Sequence, residues 1–224
     1  MLDLKPPAKK PTMKPSHPSH FIGTTARIAA VLFATLPELR ANPFSDSLDR
    51  CHLFTGNPGL GKTSLALALA AEITGECIEK LWRKQGFNVE QVNGQSLTVE
   101  VVRRWTMDGR YVPLSGIRVQ IVDEIDAGST AALNEFRTYA DGLPSHTLFI
   151  ATTNKEPEQL QPQLQSRCQL WRFKSVSAEA ITALLVSRFS LDADIATAYA
   201  IGSSGNVRAA LLDAKAHVRT AAIA

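Results

Sequence analysis

Cys51-His52-Leu53-Phe54-Thr55-Gly56-Asn57-Pro58-Gly59-Leu60-Gly61-Lys62-Thr63 decides how this chain reads. The first five residues are a short, mostly apolar run that suits a buried parallel strand. The next eight spell Gly-x-x-x-x-Gly-Lys-Thr, a complete phosphate-binding loop. Its glycines allow a sharp turn that points successive backbone N–H groups at phosphate oxygens. The expected helix from Thr63 to about Thr74 aims its positive end at the same anion. Gly56, Asn57, Pro58, Gly59, Leu60, Gly61, Lys62, Thr63 and Ser64 are the phosphate-site candidates. Lys62 is expected on the β- and γ-phosphates, and the Thr63 hydroxyl on Mg²⁺.

Val119-Gln120-Ile121-Val122-Asp123-Glu124 is the matching acidic strand end. Standing alone, two acids after an apolar strand are an ordinary helix N-cap. Paired with a phosphate loop, Asp123 becomes the second candidate magnesium ligand. Glu124 is then placed to orient or deprotonate the attacking water. Neither an acceptor site for a kinase nor a guanine-reading Asn-Lys-x-Asp is evident.

Four further segments make the chain resemble AAA+ ATPases, and within them the clamp-loader branch. Phe149-Ile150-Ala151-Thr152-Thr153-Asn154 resembles the sensor 1 strand, with Asn154 favoured over Thr153 as the polar contact to the γ-phosphate or water. Gln165-Ser166-Arg167-Cys168 resembles the Ser-Arg-Cys motif, whose arginine reaches a neighbouring subunit's ATP. Outside that resemblance Arg167 reads as a surface arginine at a helix end. Ser204-Gly205-Asn206-Val207-Arg208 resembles sensor 2, with Arg208 on the same subunit's γ-phosphate. A cation at a helix start opposes the helix dipole, which a nearby anion would explain. Phe21-Ile22-Gly23 resembles the segment that lies against adenine. The likeness implies ATP and Mg²⁺ as ligands, and self-association or related AAA+ subunits in a ring or spiral. DNA and a sliding clamp are the further partners it suggests. Clamp-loader subunits carry a helical collar after the lid, whereas this sequence ends at Ala224.

Three arginines in and after the expected helix Thr98 to Asp108 occupy the region that touches template phosphates in clamp loaders. These are Arg103, Arg104 and Arg110, and they equally fit a solvated helix face. Trp105 beside them reads as core. The stretch Asn93 to Thr98 has no aromatic residue for a peptide-threading pore loop.

Hydropathy and spacing give a βα alternation, hence an α/β class with a parallel sheet, helices on both faces and the ligand at the strands' carboxyl ends. Further strands are expected at Phe87–Val92, Arg118–Val122, Thr147–Thr152 and Gln169–Phe173. Further helices are expected at Thr24–Leu36, Glu76–Lys84 and Thr130–Tyr139. From Ala178 the pattern is all-helical. The domain reading is a basic, Pro- and Lys-rich disordered arm over residues 1–19, a core over 20–174 and a small helical lid over 175–224.

The net charge of +3 is concentrated. Lys5, Lys9, Lys10 and Lys14 against Asp3 account for it, and the rest of the chain is balanced, so global charge argues nothing about nucleic acid. Cys51, Cys77 and Cys168 are scattered and form no Cys-x-x-Cys, so neither a disulfide framework nor a zinc site is expected. With no membrane-length apolar run and no secretory leader, a cytoplasmic location is expected.

Overall fold

The computed structural model describes residues 14–41, 50–113 and 115–221. Five strands form one sheet: β1 (Cys51–Thr55), β2 (Val89–Asn93), β3 (Arg118–Asp123), β4 (Thr147–Thr152) and β5 (Gln169–Arg172). Their order across the sheet is β2-β3-β4-β1-β5, and every neighbouring pair is parallel. The strand that feeds the phosphate loop, β1, is therefore interior, between β4 and β5.

The strands are apolar on both faces, as a sheet covered on both sides requires. Successive residues alternate between two cores. Phe54, Val119, Ile121, Leu148 and Ile150 pack with α1 (Gly23–Ala41) and α2 (Lys62–Thr74). Leu53, Val122, Phe149 and Ala151 pack on the other side with α4 (Val99–Asp108) and α5 (Thr130–Asp141). Trp105 is fully buried there, near Tyr139 and Phe149, and its Nε1 donates to Glu90 at 2.8 Å. It is core, as its place in the pattern implies.

Three more helices follow the sheet: α7 (Ala178–Phe189), α8 (Ala193–Gly202) and α9 (Val207–Ala221). They share a third core built around Ile181, Leu185, Ala196, Ala200, Ala210 and Ala214. Ser177 caps α7 through the Ala180 N–H, and Asp192 caps α8 through Asp194. Two short helices complete the set, α3 (Ile78–Trp82) and α6 (Pro162–Gln165).

Local departures from the sequence reading have physical causes. Helix α1 runs through Pro37 to Ala41, because Leu39 continues the buried stripe of Leu32 and Leu36. Strand β2 starts at Val89, not Phe87, whose side chain is 84% exposed. The carboxylate of Glu76 accepts from the backbone N–H groups of Phe87 and Asn88 and ties that approach to the loop before α3. Within the stretch assigned to the basic arm, Pro18–His20 forms a 3₁₀ turn, and the Lys14 ammonium lies 4.3 Å from the centre of the Trp82 ring. Residues 1–13 of that stretch lie outside the described residues. Cys51 and Cys168 are buried neighbours with free thiols.

Candidate nucleotide site

Strand β1 ends in a loop that Gly61 closes in a left-handed conformation before α2 begins at Lys62. Gly59 also has positive φ, and a Cβ there would stand 1.8 Å from Asn206 Oδ1. Only glycine lets the loop lie this close to the start of α9. The contact is reinforced by the Arg208 backbone N–H, which donates to Gly59 O at 3.2 Å. The helical C-terminal unit thus touches the phosphate loop directly.

Lys62 folds back over the loop. Its Nζ donates to Gly56 O at 2.5 Å, Asn57 O at 2.8 Å and Asn154 Oδ1 at 2.9 Å. Burial depresses its pKa to about 8, against a partly offsetting pull from Asp123; the Arg208 charge adds to the depression. A buried ammonium held by neutral oxygens is a charge awaiting an anion.

The β3 end supplies the acids. Asp123 Oδ1 accepts from Thr63 Oγ1 at 2.7 Å and from Thr152 Oγ1 at 2.5 Å. Glu124 follows at φ 56, ψ 53, a left-handed conformation that costs a non-glycine residue on the order of 1 kcal/mol or more. Its backbone N–H donates to Thr152 Oγ1 at 3.2 Å, and its carboxylate accepts from Asn154 Nδ2 at 3.4 Å. The polar end of β4 thereby links Lys62, Asn154 and Glu124 into one chain of contacts. Thr153 is buried and donates elsewhere, to Asp126 at 2.7 Å.

The oxygens of Thr63 and Asp123 suit magnesium, a hard cation that prefers few protein ligands and completes its shell with phosphate and water. No group of three or more His, Cys, Asp or Glu suited to a metal occurs among the described residues. A metal bound through this pair plus substrate phosphates fits what is present.

A cavity of about 230 Å³ adjoins the loop at Gly59, Gly61 and Ser64. Phe21, Ile22 and Thr25 line one side, and Arg208, Leu211 and Lys215 of α9 line another. Among the described residues no Asp or Glu lines it, whereas Lys14, Arg188, Arg208 and Lys215 do. Arg208 makes no ion pair among the described residues and sits at the start of α9, where the helix dipole disfavours a cation.

The sequence profile of the ATPase family associated with various cellular activities (AAA) matches residues 52–176, more than half of the chain. The chain belongs to that family. As an AAA ATPase, it is 34% identical over 133 residues to a replication factor C small subunit of Methanosarcina acetivorans, covering 58% of this chain and 37% of that protein. A replication factor C small subunit of Methanococcus maripaludis is 32% identical over 130 residues, covering 57% and 39%. The chain spans under two fifths of the length of these curated relatives. Among solved structures, a Thermotoga maritima RuvB mutant superposes with a TM-score of 0.68 at 19% identity, covering 91% of this chain and 65% of that one. The Thermotoga maritima RuvB Holliday junction branch migration motor superposes with a TM-score of 0.65 at 20% identity, covering 90% and 64%. At those identities the likeness concerns the fold.

In this AAA protein the sequence candidates fall into three places. Lys62, Thr63, Asp123, Glu124 and Asn154 are linked by the contacts above, and Phe21, Ile22, Ser64 and Arg208 line the adjoining cavity. Arg167 does not line it: its Nε and Nη2 donate to the two carboxylate oxygens of Asp141 at 2.6 and 3.0 Å. That guanidinium holds the Asp141 carboxyl below the usual carboxylate range. The arginines of α4 lie elsewhere again, Arg103 paired with Glu135 at 3.2 Å and Arg104 with Glu90. Among the described residues no helix is long and apolar enough to cross a membrane.

Sequence reasoning missed Thr152, Asn206, Asp141 and Trp82 as neighbours of these groups. Thr152 had one faint signal, a hydroxyl ending an otherwise apolar strand. Asp141 had another, an acid at a helix C-terminus, where the dipole is unfavourable. Trp82 had none.

Proposed function

We propose that this chain is an ATP-hydrolysing subunit of clamp-loader type that works in a ring or spiral of AAA+ subunits on DNA or a DNA-bound protein. One observation carries the reading: the chain provides a phosphate loop, acids, polar strand end and Arg208 together, yet its Ser-Arg-Cys arginine stands outside the cavity. In this reading an arginine outside the chain's own cavity serves a neighbouring copy. The relatives of Methanosarcina acetivorans and Methanococcus maripaludis, both replication factor C small subunits, support a role in replication.

In this reading Lys62 and the loop N–H groups hold the triphosphate, and Arg208 draws the lid onto the γ-phosphate. Glu124, fixed by its strained backbone and by Asn154, orients water in line with the γ-phosphorus and takes its proton. Thr63 and Asp123 would hold magnesium, which supplies neutralisation of charge on the phosphate oxygens. Arg167 of an adjacent copy stabilises charge on the transferring phosphoryl group, so turnover requires assembly. A sliding clamp is the partner this branch implies.

A second reading, an AAA+ remodeller of a protein partner without DNA dependence, draws on the α4 arginines. Glu135 and Glu90 offset the charge that Arg103 and Arg104 would offer to phosphates. Steady-state hydrolysis with and without primed-template DNA, with Glu124→Gln as the blank, separates the two. Strong stimulation supports the clamp-loader type, and turnover indifferent to DNA supports the remodeller. Stimulation that survives loss of both Arg103 and Arg104 removes them as the DNA contacts.

A further inference from the structure

We infer that Trp82 is the wall on which the nucleobase stacks, and that the Lys14 ammonium occupies the same ring face until the base displaces it. The inference rests on the proposal that the cavity beside the phosphate loop receives ATP.

Three observations carry it. First, Trp82 closes the short helix α3 and lines the cavity that begins at Gly59 and Gly61, together with Lys14 and Pro15. A single space therefore connects the phosphate loop to an indole ring. Second, the Lys14 ammonium lies 4.3 Å from that ring's centre. A cation over the face marks the face as open to a ligand from the N-terminal side, and the contact is weak enough to exchange. Third, Trp82 Nε1 is buried and has no hydrogen-bond partner among the described residues. A buried donor without an acceptor is costly, so the ring's present surroundings are incomplete.

Charge favours entry of the nucleotide, and stacking favours exchange at the ring. Lys14 shares the cavity with Arg188, Arg208 and Lys215 and, among the described residues, with no acid. A triphosphate entering at the loop end neutralises this crowding, and its base brings a larger π surface to the indole than one ammonium can. Base–aromatic stacking is worth about 1–3 kcal/mol per base, whereas an exposed cation–π contact is worth about 0.5–1. Nucleotide binding would then release Lys14, so the position of the N-terminal segment reports occupancy.

The test compares Mg·ATP with Mg·tripolyphosphate, which keeps the phosphates and removes the base, by calorimetry on the full chain. Trp82→Ala should weaken ATP about tenfold or more and leave tripolyphosphate unchanged, and Trp82→Phe should recover most of the loss. Lys14→Ala should tighten ATP about two- to fivefold, the exposed cation–π range converted at 1.4 kcal/mol per tenfold. In the parent chain ATP should alter tryptophan emission, and Trp82→Phe should remove that change, because Trp105 is sealed in the core and Trp171, held by His52, does not line the cavity. An unchanged ratio of ATP to tripolyphosphate affinity in Trp82→Ala, or weaker ATP binding in Lys14→Ala, overturns the inference. Lys62→Ala serves as the control for the underlying reading. If it binds both ligands normally, the nucleotide site itself is misplaced; if it loses both while Trp82→Ala changes neither, only the base wall is wrong.

Discussion

Arg208 and Arg167 sit at opposite ends of one parallel sheet, Arg208 beside the loop that follows β1 and Arg167 just before β5 begins, and the molecule treats them differently. Arg208 lines the cavity, opens α9, and has its backbone N–H on Gly59 O. It pairs with no acid among the described residues, and its charge helps to depress the pKa of Lys62. Arg167 stays outside the cavity and is gripped on two nitrogens by Asp141, the last residue of α5. Each arrangement puts a charge at the wrong pole of a helix, a cation at the start of α9 and an anion at the end of α5. The first makes sense if an anion enters from the cavity. The second makes sense if the acid's task is to hold the arginine in place. The contrast suggests one arginine for the chain's own nucleotide and one for another's.

The widest separation is expected from Arg167→Ala. Turnover of the assembled protein should fall about 10³–10⁵-fold, the range known for arginines that act in trans on phosphoryl transfer. ATP affinity, measured by calorimetry, should stay within a few-fold. Arg208→Ala should instead lower affinity and turnover together. A charged hydrogen bond contributes about 1.5–3 kcal/mol, so the loss in affinity should be about ten- to a hundredfold and independent of protein concentration. Should both substitutions give the same pattern, the distinction between the two arginines collapses.

A finer division comes from Asp141→Ala. If Asp141 positions the Arg167 guanidinium, turnover should drop about two- to fivefold, the scale of an exposed ion pair, with ATP affinity unchanged. A rise in turnover would mean that Asp141 restrains the arginine instead. Smaller still is the pH effect from Lys62. Its pKa in the empty site is about 8, and phosphates should raise it, so binding takes up a proton near that pH. ATP affinity should therefore fall about threefold between pH 7.5 and 8.5. Calorimetry in buffers of different ionisation enthalpy would detect the proton. The sign for stability is opposite. An unfolded lysine keeps its ordinary pKa, so between about 8 and that value the unfolded chain binds more protons, and this group makes the empty protein more stable as pH rises.

Much of this arrangement could be read along the chain, because it depends on local pattern. The apolar run before Gly56 and the two acids after Val122 required parallel strands ending side by side. Thr63 Oγ1 and Asp123 Oδ1 lie 2.7 Å apart across β1 and β3, which are not even adjacent in the sheet. The strand alternation of Val119–Val122 and Leu148–Ala151 likewise announced two covered faces. What stayed hidden depends on long-range contact. The left-handed backbone of Glu124 follows from its fit beneath Thr152, and no propensity encodes that. Asp141 is an ordinary acid until Arg167 arrives beside it. Trp82 gave no signal because its short helix meets the cavity only after α2 and α9 are in place. Helix α1 outran Pro37 because burial of Leu39 outweighed the lost hydrogen bond.

The most direct test of a site divided between two chains is complementation. Arg167→Ala retains its own phosphate loop but offers no arginine to a neighbour; Lys62→Ala lacks the loop lysine but keeps Arg167. Each alone should hydrolyse ATP negligibly, and an equimolar mixture should recover a substantial fraction of the parent rate that rises with total protein concentration. A mixture as inactive as its components, although calorimetry or sedimentation shows that the two chains associate, or an Arg167→Ala chain with normal turnover by itself, would contradict the account.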